Sequence, residues 1–278
     1  MLIFYPFMPL YGMVINMINK TDLQYHINCR PGDVGKYCIL PGDPGRCEQI
    51  AKYFDSPYHL TQNREYNIFC GKLCDEDVCV CSTGIGGPST AIAVEELCAC
   101  GVHTFIRIGT CGGISLDVIA DHVVIATGAV RQEGTSHEYA PPEFPAVPNF
   151  DVLCALVEAA KESTSLYHTG IVQCKDSFYG QHSPSRMPVA AQLLEKWEAW
   201  KRLGVLASEM ESAALFTVGA ALKVRTGSVF HVVWNQERIN AGLDKEEKIE
   251  FHDTDKAIKI AIQAIKKLIL SDRQKVNE

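Results

Sequence analysis

The sequence predicts an α/β fold with a largely buried sheet, because short runs of strand composition alternate with helical patterns from about residue 36 onward. The chain has 278 residues, 47% of them hydrophobic and 21% charged, so it can bury a large core. No flexible or charged linker interrupts the alternation. We therefore expect one domain over residues 21–274, although a division at the proline-rich segment 140–148 is an alternative.

Individual elements are predicted from composition, periodicity and end signals. The segments with strand composition are 37–40, 78–82, 104–108, 122–127, 168–173 and 225–234. The segments with a helical pattern are 88–100, 191–203, 211–222 and 253–270, and a further helix is expected to begin near Cys47. The segment 140–148 contains four prolines and is predicted to be a loop.

The first 18 residues are apolar but do not have the pattern of a signal peptide or a spanning helix. No Lys or Arg precedes Lys20, and two prolines and a glycine interrupt the segment. Later methionines offer other starting points, at Met13 and Met17. We expect residues 1–20 to be a loosely attached arm or a start-site artefact.

Charge and cysteine content narrow the class of protein. A formal net charge of −7 argues against a nucleic-acid or anionic-membrane partner, which would require a basic surface. The twelve cysteines lie within apolar runs of a long chain, as reduced thiols of a cytoplasmic protein do. The densest group, within residues 70–81, lacks the paired C-x2-C spacing of a zinc site.

Two glycine-rich segments follow predicted strands. In the first, residues 40–46, glycines allow close backbone approach and Arg46 adds a charged donor, which together suit an anion. An ordinary β-turn is the alternative. In the second, residues 82–89, three glycines in four positions leave space for a ligand at the start of a helix, but without Rossmann or P-loop spacing.

Charged residues at two further positions require partners. Arg107 lies in an apolar strand, where an arginine is costly to bury unless it meets an anion or a carboxylate, and we expect Thr110 to follow the end of that strand. Glu209 and Glu211 stand at a strand-to-helix junction. They either complement the helix dipole or bind a sugar hydroxyl pair, with Met210 as an apolar floor.

Together these segments resemble the uridine phosphorylase type of the trimeric and hexameric nucleoside phosphorylase family. The resemblance runs from about His26 to the final helix. Its strongest part is the segment 82–97, with supporting matches at 42–46, 107–110, 143–147 and 209–213. It implies a three-layer α/β/α domain with a central mixed, partly barrel-like sheet, and phosphorolysis of a pyrimidine nucleoside.

The resemblance also implies roles for the phosphate and ribose residues. Inorganic phosphate, the co-substrate, would be held by four residues of one subunit and by an arginine from its neighbour, and a histidine from the neighbour would reach the ribose 5′-hydroxyl. The phosphate residues are Gly42, Arg46, Arg107 and Thr110, joined by Arg64 of the neighbour. The ribose residues are His26, Met210 and Glu211. No covalent nucleophile is needed, because phosphate attacks the anomeric carbon through an oxocarbenium-like state.

The base-binding segment matches the family only in part. Phe178 would pack the ring and Gln181 would bind the base edge and assist its departure, but Ser183 stands where the family has an arginine. Arg186 or His182 is a candidate replacement. The aspartate with which bacterial purine enzymes protonate the ring is missing from the segment 232–236, which favours a pyrimidine, and Trp234 in that segment is either core or pocket wall.

The assembly implied by the resemblance is a hexamer built from dimers that share active sites. Glu65, Ile85 and Ser89 match positions that hold a monovalent cation such as K⁺ between paired subunits, and no other cofactor is required. A purine phosphorylase, a nucleosidase of the same fold and a non-catalytic nucleoside-binding protein are the alternatives. The arginine set disfavours a nucleosidase, and the altered segment 180–186 is the only support for a non-catalytic protein.

Overall fold

The computed structural model describes residues 23–245 and 254–277, and these residues form nine strands and nine α-helices. The strands are β1 (Tyr37–Pro41), β2 (Asp55–Asn63), β3 (Tyr66–Leu73), β4 (Glu76–Cys81), β5 (Thr104–Gly113), β6 (Val123–Gln132), β7 (Tyr167–Lys175), β8 (Ala207–Glu209) and β9 (Arg225–Asn235). The helices are α1 (Arg46–Ala51), α2 (Gly87–Ala99), α3 (Thr135–Tyr139), α4 (Phe150–Glu162), α5 (Phe178–His182), α6 (Ala190–Arg202), α7 (Ser212–Leu222), α8 (Gln236–Asn240) and α9 (Asp255–Asn277). The proposed arm at residues 1–20 lies outside the described residues.

The strands form one mixed sheet whose second half closes on itself. The order is β2-β3-β4-β1-β5-β8-β7-β6-β9, and β9 returns to pair with β5 in parallel. Strands β5, β8, β7, β6 and β9 therefore make a closed five-stranded barrel. Strand β1 joins it to the open half through parallel pairing with β4 and β5. The expected mixed, partly barrel-like sheet is confirmed.

Helices cover both faces of the sheet. Alternate residues of β1 belong to different cores: Cys38 and Leu40 pack with α2 and α7, while Tyr37 and Ile39 pack with α1, α4 and α9. This alternation is what a strand buried on both faces requires. The three-layer α/β/α arrangement predicted for the chain is thereby confirmed.

All six predicted strands are present, but three others were missed. Strands β2 and β3 form an antiparallel hairpin at the edge of the sheet, where β2 is largely exposed and so lacks a buried alternating pattern. Strand β8 has only three residues. The buried helix α4 was also not predicted, although it carries a regular N-cap at Asn149.

The expectation that Thr110 follows the end of a strand was wrong, because β5 continues to Gly113. The strand persists because β8 and β9 supply pairing partners beyond the end of β1. Its glycines leave room for neighbouring side chains: a Cβ at Gly113 would lie 2.6 Å from Nδ2 of Asn235. Thr110 is therefore positioned by the barrel wall.

The segment 140–148 is a loop, as predicted, and it is bound by Arg131 and by a backbone bridge between Ala146 and Ala129. The Arg131 guanidinium donates hydrogen bonds to Ser136 and to the carbonyl oxygens of Ala140, Pro141 and Phe144. All twelve cysteines lie within the described residues, and none of them forms a disulfide. Within the described residues, no helix combines the length and apolar character needed to cross a bilayer.

Candidate active site

A cavity of about 630 Å³ opens where β1, β4, β5, β8 and the end of β9 meet. The predicted phosphate, ribose and base residues that line it are Gly42, Arg46, Arg107, Thr110, Phe178, Gln181, Met210 and Glu211. These come from four separate parts of the sequence. The phosphate, ribose and base residues expected within one subunit are thus gathered at one cavity, apart from Arg186.

Arg107 is the most constrained cation in the cavity. It is 5% exposed; its Nε donates to Glu209 at 3.3 Å and its NH2 to Glu211. Burial disfavours the charged guanidinium, but Glu211 and Glu209 outweigh burial and raise the pKa of Arg107. Its NH1 is buried without a partner among the described residues and lies beside Gly42. A buried unpaired donor is costly, so this atom is suited to an anion entering the cavity.

Arg46 brings a second guanidinium to the same region. Burial lowers the pKa of Arg46 and the charge of Arg107 lowers it further, while Asp43 opposes both. A Cβ at Gly42 would lie 3.1 Å from the carbonyl oxygen of Gly84, so the two glycine-rich segments meet backbone to backbone. Two arginines at one end of a cavity create a local anion site in a chain of net negative charge.

The two carboxylates before α7 have different surroundings. Glu209 accepts hydrogen bonds from the backbone N–H groups of Glu211 and Ser212, at 2.9 and 3.0 Å, and so caps the helix. Glu211 accepts from the N–H of Gly86 at 2.6 Å and from Arg107. Burial raises the pKa of Glu211, and Arg107 opposes that rise. Glu211 is therefore positioned at the cavity wall by Gly86, whose φ of +100° favours glycine.

The opposite end of the cavity is lined by aromatic rings on α5 and β9. The ring of His182 lies 4.3 Å from that of Phe178 and 4.9 Å from that of Trp234, measured between centroids. Burial, and the nearby charge of Lys175, lower the pKa of His182 to about 4, so the imidazole is neutral at neutral pH. Trp234 is therefore a pocket wall.

Of the two candidates for the missing base-edge arginine, only His182 lines the cavity. The Arg186 guanidinium lies 5.0 Å from the centroid of the Tyr179 ring and does not line the cavity. It sits in a short 3₁₀ turn, Pro184–Arg186, after α5.

Lys175 is a cavity residue that sequence reasoning missed. It is the last residue of β7, is 5% exposed, and its Nζ donates to Oγ of Ser208 at 2.7 Å. Burial lowers the pKa of Lys175, and Glu209 opposes that change. A lysine ending an apolar strand, directly before Asp176 and Ser177, was the available signal.

The two residues expected from a neighbouring subunit do not line the cavity of their own chain. Nδ1 of His26 lies 2.6 Å from Oε1 of Glu96, and the Arg64 guanidinium lies 5.9 Å from the centroid of the Tyr25 ring. Both are on the surface near the hairpin of β2 and β3. Their assignment to a shared site stays a prediction.

The predicted cation ligands lie close together around Gly84. A Cβ at Gly84 would be 3.1 Å from Cγ of Glu65 and 3.7 Å from Oγ of Ser89, and that hydroxyl lies 3.4 Å from the carbonyl oxygen of Ile85. These are oxygen donors of the kind that alkali cations accept. Among the residues that the structure describes, no cluster of three or more His, Cys, Asp or Glu could hold a metal ion.

Comparison with known proteins gives matches along nearly the whole chain. The family model described as the phosphorylase superfamily matches residues 36–271. The chain is 55% identical to a uridine phosphorylase of Treponema pallidum (strain Nichols) over 258 residues, which cover 93% of this chain and 99% of that protein. It is 40% identical to a uridine phosphorylase of Escherichia coli (strain K12) over 260 residues, covering 91% and 100%. A guanosine phosphorylase of Halorubrum lacusprofundi is 38% identical over 246 residues, covering 87% and 98%.

Proposed function

This chain belongs to the phosphorylase superfamily, and from that premise we propose that it catalyses the phosphorolysis of uridine to uracil and ribose 1-phosphate. The observation that carries the proposal is the unpaired NH1 of Arg107, buried beside Gly42 and next to Arg46 in the cavity. Phosphate is the co-substrate in this reaction. Deoxyuridine, which lacks only the 2′-hydroxyl, is a second substrate of the same class.

Phosphate would bind between Arg46 and Arg107, with Thr110 and the backbone of Gly42 completing the site. Two guanidinium groups compensate the desolvation of a dianion and hold it in line with the glycosidic bond. Phosphate oxygen forms a bond to the anomeric carbon as the bond to the base nitrogen breaks. The electron pair of the broken bond leaves with the base.

Ribose would bind against Met210 and Glu211. The Glu211 carboxylate can accept from the 2′- and 3′-hydroxyls, and its negative charge favours the positive charge that develops on the sugar ring. Glu209 has no such role in the proposal, because the start of α7 and Arg107 already occupy it.

Uracil would leave between Phe178 and Gln181, with Lys175 as the group that stabilises its negative charge. A buried ammonium at the base end of the cavity favours an anionic leaving group, because burial strengthens the attraction between the two charges. Neutral His182 offers a hydrogen bond to the base edge in the place of the family's arginine.

A purine substrate is the second candidate, since a guanosine phosphorylase is among the relatives. The side chain at the end of β9 disfavours it. Asn235 donates to the carbonyl oxygens of Ser115 and Val118 and accepts from the N–H groups of Glu237 and Arg238. A fully engaged amide cannot protonate a purine ring.

A panel of nucleosides with inorganic phosphate tests reaction and base together. Uridine, deoxyuridine, thymidine, inosine, guanosine and a thioether nucleoside are each incubated with the purified protein, and base release is measured. We expect release from uridine and deoxyuridine only in the presence of phosphate. Release from inosine or guanosine in preference to uridine would overturn the assignment of the base.

We also propose that the active protein is a hexamer of three dimers with shared sites, acting in pyrimidine nucleoside salvage in the cytoplasm. The location of His26 and Arg64 at the surface, away from their own cavity, supports sharing. Twelve cysteines without a disulfide support a reducing compartment. Glu65, Ile85 and Ser89 would hold K⁺ at the dimer contact.

Subunit complementation tests the sharing of sites. Arg64→Ala and Arg107→Ala subunits are co-expressed with different tags, and the mixed oligomer is purified. If sites are shared, a mixed dimer regains one intact site, so its uridine phosphorolysis exceeds that of either parent variant. Mixed oligomers no more active than their parents would contradict sharing, and light scattering reports the number of subunits.

A further inference from the structure

A chain of hydrogen bonds runs from helix α6 to the base end of the cavity, entirely through side chains. It begins at the indole of Trp200 and passes Gln132 and Gln173 to the hydroxyl of Ser208, which contacts Gln181. Trp200 and Gln132 do not line the active-site cavity. They can instead determine which group donates and which accepts in each hydrogen bond that leads to the cavity.

The direction is fixed at its outer end by Trp200. An indole N–H only donates, so the atom of Gln132 that lies 3.0 Å from Nε1 of Trp200 must be the carbonyl oxygen, Oε1. Nε2 of Gln173 lies 2.8 Å from that same oxygen and donates to it. The amide of Gln173 is thereby oriented, and its own Oε1 faces Ser208 at 2.7 Å.

Ser208 passes this orientation to the active site, because a hydroxyl has one hydrogen. The hydroxyl donates to Oε1 of Gln173, so it can only accept from its other neighbours. Nζ of Lys175, 2.7 Å away, is a donor in any case. Oε1 of Gln181 lies 2.6 Å from the hydroxyl oxygen, so Gln173 and Gln181 both present a carbonyl oxygen to a hydroxyl with one hydrogen. A half-turn of an amide exchanges its oxygen and nitrogen, and only this exchange at Gln181 leaves every other bond in place.

We infer that Trp200 and Gln132 are positioning residues that fix the amide of Gln181 with its NH₂ toward Ser208 and its carbonyl oxygen free for the base. The inference rests on the proposed function. A carbonyl oxygen accepts a hydrogen bond from the N3–H of uracil. Cytosine has no hydrogen at N3, so the same oxygen faces a lone pair and the site rejects it.

Removing the indole N–H of Trp200 allows the donor and acceptor roles in all the following hydrogen bonds to be exchanged. In Trp200→Phe, Gln132 can turn its NH₂ toward Gln173, which lets Ser208 donate to Gln181 and turns the NH₂ of Gln181 to the base. Both directions then satisfy every group. We expect the ratio of kcat/KM for cytidine to kcat/KM for uridine to rise by about tenfold, since the penalty against the wrong direction is lost.

The matched control is Trp197→Phe. Trp197 lies on the same helix, but its indole donates to Glu237 at 2.8 Å and takes no part in the chain of bonds. This variant is expected to keep the wild-type ratio. An unchanged ratio in Trp200→Phe, or an equal change in Trp197→Phe, would overturn the inference.

A second pair of variants keeps the test decisive if Trp200→Phe does not fold. Gln132→Glu retains an acceptor for both Trp200 and Gln173, so the direction and the ratio are kept. Gln132→Met removes the acceptor, and the ratio rises. Equal ratios of kcat/KM for cytidine to kcat/KM for uridine in these two variants would contradict the inference.

Failure of the proposed function has a different signature. If the wild-type protein releases no uracil from uridine with phosphate, the proposed function fails. The positioning role of Trp200 is then tested by calorimetry, which measures the affinities of uracil and cytosine for the same variants. We expect the wild-type protein to bind uracil more tightly than cytosine, and this difference in affinity to be smaller in Trp200→Phe and unchanged in Trp197→Phe. A wild-type protein without a preference for uracil would overturn the inference.

Discussion

The two ends of the cavity are held in different ways. At the end proposed for phosphate and ribose, Arg107 on β5 and Glu211 directly after β8 are 5% and 3% exposed and bind one another. At the base end, Phe178 is 50% exposed and stands on the five-residue helix α5. The first end is built into the sheet core, while the second depends on a short segment and a few hydrogen bonds. Substrate choice can therefore change at one end without disturbing the chemistry at the other.

The largest effect is expected at the phosphate end, from Arg107→Ala. Loss of the guanidinium removes a hydrogen-bond donor to the proposed phosphate. It also leaves Glu209 and Glu211 buried without their cation. We expect uridine phosphorolysis to fall by at least about 1,000-fold, and the free energy of unfolding to fall by about 3–5 kcal/mol. Steady-state kinetics and urea unfolding measure the two.

Arg107→Lys separates the two consequences. It keeps the charge but loses the fork that reaches both carboxylates and the anion. Its activity should fall by about 100-fold with a smaller loss of stability than in Arg107→Ala. Near-normal activity of either variant would contradict the proposal that Arg107 binds phosphate.

At the base end, Lys175→Met is expected to lower kcat by about 100-fold, because the departing base loses its buried cation. The control is Lys201→Met, which removes a lysine already paired with Glu198 and Glu237 outside the cavity. That variant should stay within about twofold of the wild type, as exposed ion pairs contribute little. Equal values of kcat in both variants would contradict the proposal that Lys175 stabilises the departing base.

A smaller effect separates the two candidates for the missing arginine. His182→Asn should raise KM for uridine by about tenfold, since one base-edge contact and the ring packing against Phe178 are changed. Arg186→Ala should change KM by less than about twofold, because its guanidinium lies over Tyr179. The reverse order would show that the turn after α5 moves to place Arg186 at the base.

The smallest effect is on stability at acid pH. The pKa of His182 is about 4 in the folded protein against 6.5 for an ordinary histidine, so the unfolded chain takes up a proton first as the pH falls. Stability is therefore lost between pH 6.5 and about 4. The lowered pKa values of His103, His122 and His168 act in the same direction. In His182→Asn, Tm should fall less over this range than in the wild type; an unchanged slope would contradict the burial of His182.

That Arg46, Arg107 and Glu211 lie at one site could be predicted from the sequence, because these residues carry local signals. An arginine in an apolar strand, glycines after strands and carboxylates before a helix each have a physical cause that does not depend on distant residues. Six strands were predicted from their apolar composition, but the buried strand β3 was missed. Edge strand β2 was also missed, since its exposed residues have no buried face to produce a pattern.

The base end could not be predicted in the same way. Whether His182 or Arg186 faces the cavity depends on the turn Pro184–Arg186 between α5 and α6, and no local sequence pattern fixes the direction of that turn. The role of Lys175 depends on Ser208, which β8 brings beside β7 through a pairing absent from any local pattern. A three-residue strand has no periodicity, so the contact it creates appears only in the folded protein.

The central claim is that phosphate is the nucleophile, held by Arg46 and Arg107. Phosphorus NMR of the wild-type protein with uridine and inorganic phosphate tests it most directly, because the consumption of phosphate and the appearance of a sugar phosphate are followed in one sample. The predicted result is one ribose 1-phosphate for each uracil released, with no uracil when phosphate is omitted. Uracil accompanied by free ribose, at a rate independent of phosphate, would contradict the account.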